Sequence, residues 1–236
     1  TLVGAPDAEH HGPGCTPVIS DVERDYLCEF ASAYFKKPVT PEDVVWTYSG
    51  VRPLYDDGAS SVTAATRDYV LDLDTNGAPL LSIFGGKITT YRRLAESALD
   101  HVHQFFPDLP AKWTAGVPLP GGDFEVTDFD KKVSEFANTY PFVNAVHARR
   151  LVRAYGTDAP KMIGDAASLN DLGRHFGANL YEIEVKWLIT HEFARTAEDI
   201  VWRRSKLGLR LSSDEIAALD AWILAHLTES THNGAV

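Results

Sequence analysis

The stretch LLSIFGGKITTYRRLAESALDHV, residues 80–102, joins two kinds of secondary structure through a glycine pair and a lysine. Its first residues form a short apolar run that is typical of a strand. The apolar residues that follow recur at spacings of three and four, which predicts one face of a helix: Ile88, Tyr91, Ala95, Ala98 and Val102. We therefore predict a strand that turns at Gly85-Gly86 directly into a helix.

The preceding residues predict a β-hairpin that ends in this strand. In TRDYVLDLDTNGAPLLSIF, residues 66–84, Tyr69, Leu71 and Leu73 alternate along the chain. Asn76-Gly77 is a strong signal for a two-residue turn. Further upstream, Ser20 and Glu23 have the spacing of a helical capping box, and the run 44–48 has strand-like composition.

The chain changes character after this helix. FFPDLPAKWTAGVPLPGG, residues 105–122, carries four prolines and no periodicity. The following residues show helical periodicity without a strand pattern, at about 127–139, 141–155, 159–168, 178–193, 196–207 and 213–229. We predict an α+β chain, in which an incomplete α+β part at 1–110 and a linker at 111–122 precede an all-α domain at 123–236.

Composition excludes several classes of protein. The 236 residues are 44% hydrophobic and carry a net charge of −11, which suits a globular protein and argues against broad binding of nucleic acid. No apolar run approaches the ~20 residues of a membrane-spanning helix. Cys15 and Cys28 have no CxxC spacing, which favours reduced thiols in the cytoplasm over a single disulfide.

Local chemistry makes the glycine pair a candidate anion site. A helix start offers unpaired N–H groups and a positive dipole end, and Lys87 adds a full charge beside the hydroxyls of Thr89 and Thr90. The stretch is not a P-loop, because Ile88 follows the lysine. The alternative is a strand-to-helix turn in which glycine only avoids a clash.

Other candidate groups are fewer. Arg52 and Arg67 could each clamp a phosphate or a carboxylate, or pair with a nearby acid. Arg149, Arg150 and Arg153 are interpreted as solvated or paired with acids. The nine histidines show no metal-ligand spacing, so no metal site is predicted.

Several motifs in order resemble one enzyme family. They are WTYSGVRPL (46–54), TRDY (66–69) and FGGKITTYR (84–92), followed by the long helical stretch DLGRHFGANLYEIEVKWLITHEFARTAEDIVWRRSKLGL (171–209). Together these resemble the FAD-dependent glycerol-3-phosphate dehydrogenases of aerobic metabolism. The resemblance covers essentially the whole chain.

The resemblance implies an enzyme that oxidises sn-glycerol 3-phosphate to dihydroxyacetone phosphate. Hydride passes to FAD and electrons then reduce a membrane quinone, which implies a cytoplasmic protein peripherally associated with the cytoplasmic membrane. A homodimer is a further expectation.

Carried over by position, the resemblance makes Arg52 and Lys87 catalytic and Arg67 a substrate-binding residue. It also places a short run of residues along the flavin: Gly85, Gly86, Lys87, Ile88, Thr89 and Thr90.

Two departures from the family pattern bear on function. The family's GxGxxG does not occur in this chain, so we expect a C-terminal portion that is inactive alone. GAPD, residues 4–7, stands where members commonly have GTTD, which places Ala5 where a hydroxyl could touch substrate. The alternatives are a non-catalytic helical interaction or dimerisation module, and a relative of the flavin amine or amino-acid oxidases.

Overall fold

The computed structural model describes residues 1–4, 16–51, 55 and 68–232, and it divides into two compact units. The first unit is Thr1–Gly116 and the second, the helical unit, is Val117–Val236. The division lies inside the predicted linker, while the predicted domain ends at 110 and 123 remain predictions.

The first unit begins with helix α1, Asp21–Ser32. Its predicted capping box is confirmed, because Glu23 N–H donates to Ser20 Oγ at 3.2 Å and Ser20 N–H donates to Glu23 Oε2 at 2.9 Å. Cys28 and Ala31 are buried on the inner side of α1. Run 44–48 forms no strand with any described residue, so that prediction is wrong; Trp46 instead stacks on Tyr48 with ring centroids 5.1 Å apart.

The predicted hairpin is confirmed as strands β1, Tyr69–Asp74, and β2, Leu80–Gly85. They are antiparallel, with Tyr69 opposite Gly85 and Asp74 opposite Leu80. The two-residue turn is wrong, because residues 75–79 all lie between the strands. Asp74 Oδ1 accepts the backbone N–H of Asn76 at 2.8 Å, and this local turn replaces the tighter one.

The predicted helix after the glycine pair is confirmed as α2, Tyr91–Val102, preceded by a 3-10 turn, Ile88–Thr90. Tyr69 at the start of β1 also reaches α2, because its hydroxyl shares a hydrogen bond of 3.1 Å with Ser97 Oγ. The hairpin and the helix are therefore tied by a side-chain contact as well as by the chain.

The helical unit contains five α-helices among its described residues: α3, Phe129–Thr139; α4, Ala145–Tyr155; α5, Ala159–Ile163; α6, Glu182–Glu192; and α7, Ser213–His232. A π-helix spans Asp199–Arg204. Strands β3, His175–Gly177, and β4, Leu180–Tyr181, form a short antiparallel ribbon. The α+β assignment with a helical second part is confirmed, and this ribbon is an addition to it.

Several helix boundaries differ from the predicted ones, and two of these differences have a clear local reason. The helix predicted from 178 begins at Glu182, because Leu180 and Tyr181 pair with β3. The helix predicted to reach 168 ends at Ile163, because Gly164 adopts a φ of +59° that ends helical hydrogen bonding.

A single apolar core holds the helical unit together. Its largest fully buried apolar side chains, each less than 2% exposed, come from α4, α6, α7, β4 and the segments between them: Leu151, Leu172, Leu180, Leu188, Ile200, Leu219 and Ile223. Burying one such side chain stabilises a fold by about 1.5–3 kcal/mol.

Two glycines pack against each other where the chain enters the helical unit. Gly156 has a φ of +53°, and a Cβ there would overlap the carbonyl oxygen of Gly121. Thr157 N–H donates to the same oxygen at 3.0 Å. The close approach leaves no room for a side chain.

Replacing Gly156 by alanine is therefore expected to destabilise the helical unit by more than backbone strain alone. Gly164 is a matched control, because its φ and ψ of +59° and −134° resemble the +53° and −124° of Gly156 while nothing lies within 4 Å of its added Cβ. We expect Gly164→Ala to cost about 1–3 kcal/mol, and Gly156→Ala to cost about 1–3 kcal/mol more. Urea unfolding followed by circular dichroism measures both, and equal losses would contradict the overlap.

Candidate functional site

The turn between β2 and α2 requires its two glycines. Gly85 and Gly86 have φ values of +69° and +90°, which L-residues with side chains rarely adopt. A Cβ on Gly86 would also lie 3.3 Å from Tyr69 Cβ. The structural explanation of the glycine pair therefore holds for Gly86, and any function depends on what the turn displays.

The turn displays Lys87 at the start of the helix. Lys87 is extended, with φ −105° and ψ 150°, and its carbonyl oxygen accepts the N–H of Thr90 at 2.9 Å and the Thr90 hydroxyl at 2.8 Å. The Lys87 side chain is exposed, and its ammonium bonds to no other residue in the described part of the chain. The cation is thus exposed, at a position that its backbone fixes.

Backbone donors accompany this cation. Within the described ranges, the N–H groups of Ile88 and Thr89 donate to no backbone carbonyl, as is usual at the first turn of a helix. Lys87, Ile88 and Thr89 are all exposed, and Ile88 reaches 87%. The site combines N–H donors, the positive end of a helix dipole and an ammonium, which suits an anion or the electron-rich edge of a planar ring.

The hairpin register brings two of the sequence motifs to one place. TRDY runs into β1, and its Tyr69 pairs with Gly85 of FGGK. The structure thus joins Tyr69, Gly85, Gly86, Lys87 and Thr90. The predicted site residues Arg52 and Arg67 lie outside the described residues, as do Asp56 and Asp57, two nearby acids that could pair with them.

These residues fit the flavin that the family resemblance implies. The electron-rich edge of a flavin ring needs hydrogen-bond donors and positive charge, and the Lys87 turn offers both on exposed residues. The N–H groups of Ile88 and Thr89 and the Lys87 ammonium are the groups that could hold it.

A buried ionic cluster in the helical unit was missed by the sequence analysis. Glu184 is 2% exposed at its side chain and accepts two hydrogen bonds from Arg150, of 2.6 and 2.7 Å, and one of 2.7 Å from the Tyr155 hydroxyl. Burial, reinforced by this carboxylate, raises the pKa of Tyr155. Arg150 also donates to Asn179 Oδ1 at 2.8 Å.

The role of this cluster is structural. No described buried side-chain nitrogen or oxygen lacks a hydrogen-bond partner, so the groups are engaged with one another rather than with a ligand. A usable signal existed in the sequence, because Glu184 lies one helical turn before the apolar Leu188 on the same row of α6. An acid within an apolar row indicates a buried partner of opposite charge.

His147 lies near this cluster and should make stability depend on pH. It is 3% exposed and stacks on Tyr181 with ring centroids 5.8 Å apart, and burial, aided by Arg150, lowers its pKa from 6.5 to about 4. The unfolded chain therefore binds a proton at a higher pH than the folded chain does. The contribution of neutral His147 to the free energy of unfolding is complete above pH 6.5. It is lost as the pH drops towards 4, by about 3 kcal/mol in all.

Urea unfolding at several pH values between 4 and 6.5 tests this prediction. His147→Phe keeps the stacked ring without a titrating group and should remove most of the slope. His191→Phe, at an exposed position of α6, should leave the slope in place. Equal slopes in the parent chain and in His147→Phe would contradict the assignment.

Comparison with known proteins agrees with the helical unit and its boundaries. Residues 112–228 match the model of the C-terminal domain of alpha-glycerophosphate oxidase. These residues belong to that domain family. The matched residues include nearly all of the helical unit and begin shortly before it.

Longer proteins that are similar to this chain extend the similarity over the first unit. The chain is 42% identical to the aerobic glycerol-3-phosphate dehydrogenase of Escherichia coli, with 96% of this chain and 45% of the relative covered. It is also 42% identical to the D-erythritol 1-phosphate dehydrogenase of Brucella abortus, covering 94% of this chain and 44% of that protein. A glycerol-3-phosphate dehydrogenase of Pseudomonas aeruginosa is 43% identical over 94% of this chain and 44% of its own length. The chain thus spans less than half the length of these relatives.

Two kinds of feature are absent from the described residues. No helix in them has the length and apolar character needed to cross a membrane. No group of three or more histidine, cysteine, aspartate or glutamate side chains in those same ranges could hold a metal ion.

Proposed function

We propose that this chain is part of a flavin-dependent dehydrogenase that oxidises sn-glycerol 3-phosphate to dihydroxyacetone phosphate by hydride transfer to FAD. The names of its relatives support the substrate. The observation that carries the proposal is the Lys87 turn, which combines an exposed ammonium with N–H groups at a helix start that donate to no described backbone carbonyl.

In this proposal Lys87 acts as a fixed positive charge. When bound, FAD would accept the hydride and gain negative charge along one edge of its ring. Lys87 and the N–H groups of Ile88 and Thr89 would stabilise that edge more after hydride transfer than before it, which lowers the barrier. Gly85, Gly86 and Thr90 would form the rest of the contact surface.

Arg52 and Arg67 complete the proposed site as the substrate cations. A guanidinium binds a phosphate through two parallel hydrogen bonds, and so fixes both the position and the orientation of the substrate. This would hold the reacting carbon towards the ring, which converts binding energy into correct geometry.

Arg52→Ala is therefore expected to lower kcat/KM for sn-glycerol 3-phosphate by an amount equal to about 2–5 kcal/mol. Steady-state kinetics of the flavin-containing protein measure the loss. Arg93→Ala, at an exposed position of α2, serves as the control and should have little effect. A loss no larger than that of the control would remove Arg52 from the site.

A second candidate substrate is a longer polyol phosphate. The D-erythritol 1-phosphate dehydrogenase is as similar to this chain as the E. coli relative is. Ala5, which lies outside the described residues, replaces a hydroxyl common in the glycerol-3-phosphate enzymes. The chemistry would be the same with either substrate.

The remaining elements of the proposal concern electrons and place. A membrane quinone would reoxidise the flavin, which requires a cytoplasmic protein that associates peripherally with the cytoplasmic membrane. A homodimer is part of the same proposal. These elements derive from the family resemblance.

The deciding experiment is a visible absorption spectrum of the protein as isolated from its native source. We expect flavin bands that bleach without oxygen on addition of sn-glycerol 3-phosphate. Bleaching by D-erythritol 1-phosphate alone would select the second substrate, and bleaching by an amine alone would favour the oxidase alternative. A colourless protein would contradict the proposal and favour a helical interaction module.

A further inference from the structure

Tyr69 packs against the backbone of the Lys87 turn. It begins β1 and pairs with Gly85, and its Cβ lies 3.3 Å from the place where a Gly86 side chain would start. Its Cα lies 3.9 Å from the same place. Tyr69 therefore packs directly against Gly86, the residue immediately before Lys87.

The other end of the same side chain reaches α2. The Tyr69 hydroxyl shares a partly buried hydrogen bond of 3.1 Å with Ser97 Oγ, and these two residues are 28 positions apart. Ser97 lies about two turns into the helix that starts after Lys87. One side chain thus extends from beside Gly86 at the end of the hairpin to the helix.

Thr90 also stabilises the turn. Thr90 donates both its N–H and its hydroxyl to the Lys87 carbonyl oxygen, at 2.9 and 2.8 Å. Thr90 fixes the peptide after Lys87, while Tyr69 fixes the glycine before it. The Tyr69 side chain links the strand, the turn and the helix, because it starts in the strand, lies against Gly86 and bonds to Ser97 of the helix.

From these contacts we infer that Tyr69 is a positioning residue for Lys87. It acts through its contacts with the Gly86 backbone and with Ser97 of α2. These contacts hold the Lys87 ammonium and the N–H groups at the helix start in a constant position relative to the start of β1. The inference rests on the proposed function for its catalytic consequence, but the mechanical part can be tested without it.

The mechanical test is amide hydrogen exchange on this chain without flavin. Tyr69→Phe keeps the ring and removes only the hydroxyl, so exchange of the Thr90 amide, which donates to the Lys87 carbonyl oxygen, should become about two- to tenfold faster. Ser97→Ala removes the same hydrogen bond from the other side and should give the same increase. Because the two changes break one bond, the double variant should exchange no faster than either single variant.

Tyr91→Phe is the matched control. It removes a tyrosine hydroxyl from an exposed position on the same helix, and exchange of the Thr90 amide should not change. Unaltered exchange in Tyr69→Phe, or an equal increase in Tyr91→Phe, would overturn the inference. Faster exchange in the double variant than in both single variants would also overturn it.

The catalytic test uses the flavin-containing protein and separates kcat from KM. A displaced Lys87 stabilises the transition state less, so Tyr69→Phe should lower kcat about two- to tenfold with an unchanged KM for sn-glycerol 3-phosphate. Faster exchange with an unchanged kcat would overturn the positioning role. If the unaltered protein is not reduced by the substrate, the proposed function fails, and the exchange experiment still decides whether Tyr69 holds the turn.

Discussion

Replacing Arg150 by methionine is expected to lower the free energy of unfolding by about 3–5 kcal/mol, because it leaves the Glu184 carboxylate buried without its cation. Arg150 gives that carboxylate hydrogen bonds of 2.6 and 2.7 Å, and the remaining donor is the Tyr155 hydroxyl. Methionine fills similar space, so the effect reports charge and hydrogen bonding more than a cavity.

Arg149→Met is the matched control for this change. Arg149 is the adjacent residue in α4, and its ion pair of 2.7 Å with Asp130 is exposed on both sides. Such pairs contribute about 0–1 kcal/mol. Urea unfolding followed by tryptophan fluorescence measures both variants, since Trp187, Trp202 and Trp222 report on the helical unit. Losses of similar size would show that burial of the Arg150 pair does not matter.

Changing both members of the buried pair gives a further check. Arg150→Met combined with Glu184→Leu removes the isolated charge and should recover part of the stability lost by Arg150→Met. Recovery is incomplete because Tyr155 and Asn179 lose their partners. A double variant less stable than Arg150→Met would contradict the charge argument.

Lys87→Ala is expected to lower kcat of the flavin-containing protein by about 10²–10³-fold, the usual cost of removing one preorganised group that stabilises transition-state charge. Folding should change little, because the Lys87 side chain is exposed and bonds to no other described residue. Rapid-mixing measurement of flavin reduction by sn-glycerol 3-phosphate gives the rate, and thermal unfolding gives the stability.

Two further variants sharpen the Lys87 experiment. Lys112→Ala removes another exposed lysine of the first unit, which pairs with Asp100 at 2.6 Å, and should leave the rate nearly unchanged. Lys87→Arg keeps the charge with a different shape and should recover part of the rate. A rate unchanged in Lys87→Ala would remove this lysine from the proposed site.

The sequence was most informative where structure is local. Apolar spacing predicted α2, and Ser20 with Glu23 predicted the start of α1, because both signals act within one or two helical turns. It was least informative where neighbouring chain segments compete. Run 44–48 has the composition of a strand, yet pairs with no described strand, and Leu180 leaves its predicted helix to pair with β3.

The candidate site divides in the same way. Lys87 and the glycine pair were found from sequence, because a strand, two glycines and a helix start follow one another directly. Tyr69 was placed in the hairpin, but its contact with Gly86 could not be predicted, since it depends on the register of two strands.

The sequence by itself determined the α+β character of this protein, its helical second part and the cation at the start of α2. Only the tertiary structure decided that Gly86 must be a glycine over Tyr69, and that Arg150 pairs with Glu184 across 34 residues. The physical reason is the range of the interactions. Helical periodicity and capping act between residues a few positions apart, whereas close packing and buried charge pairs form between segments that only the folded chain brings together.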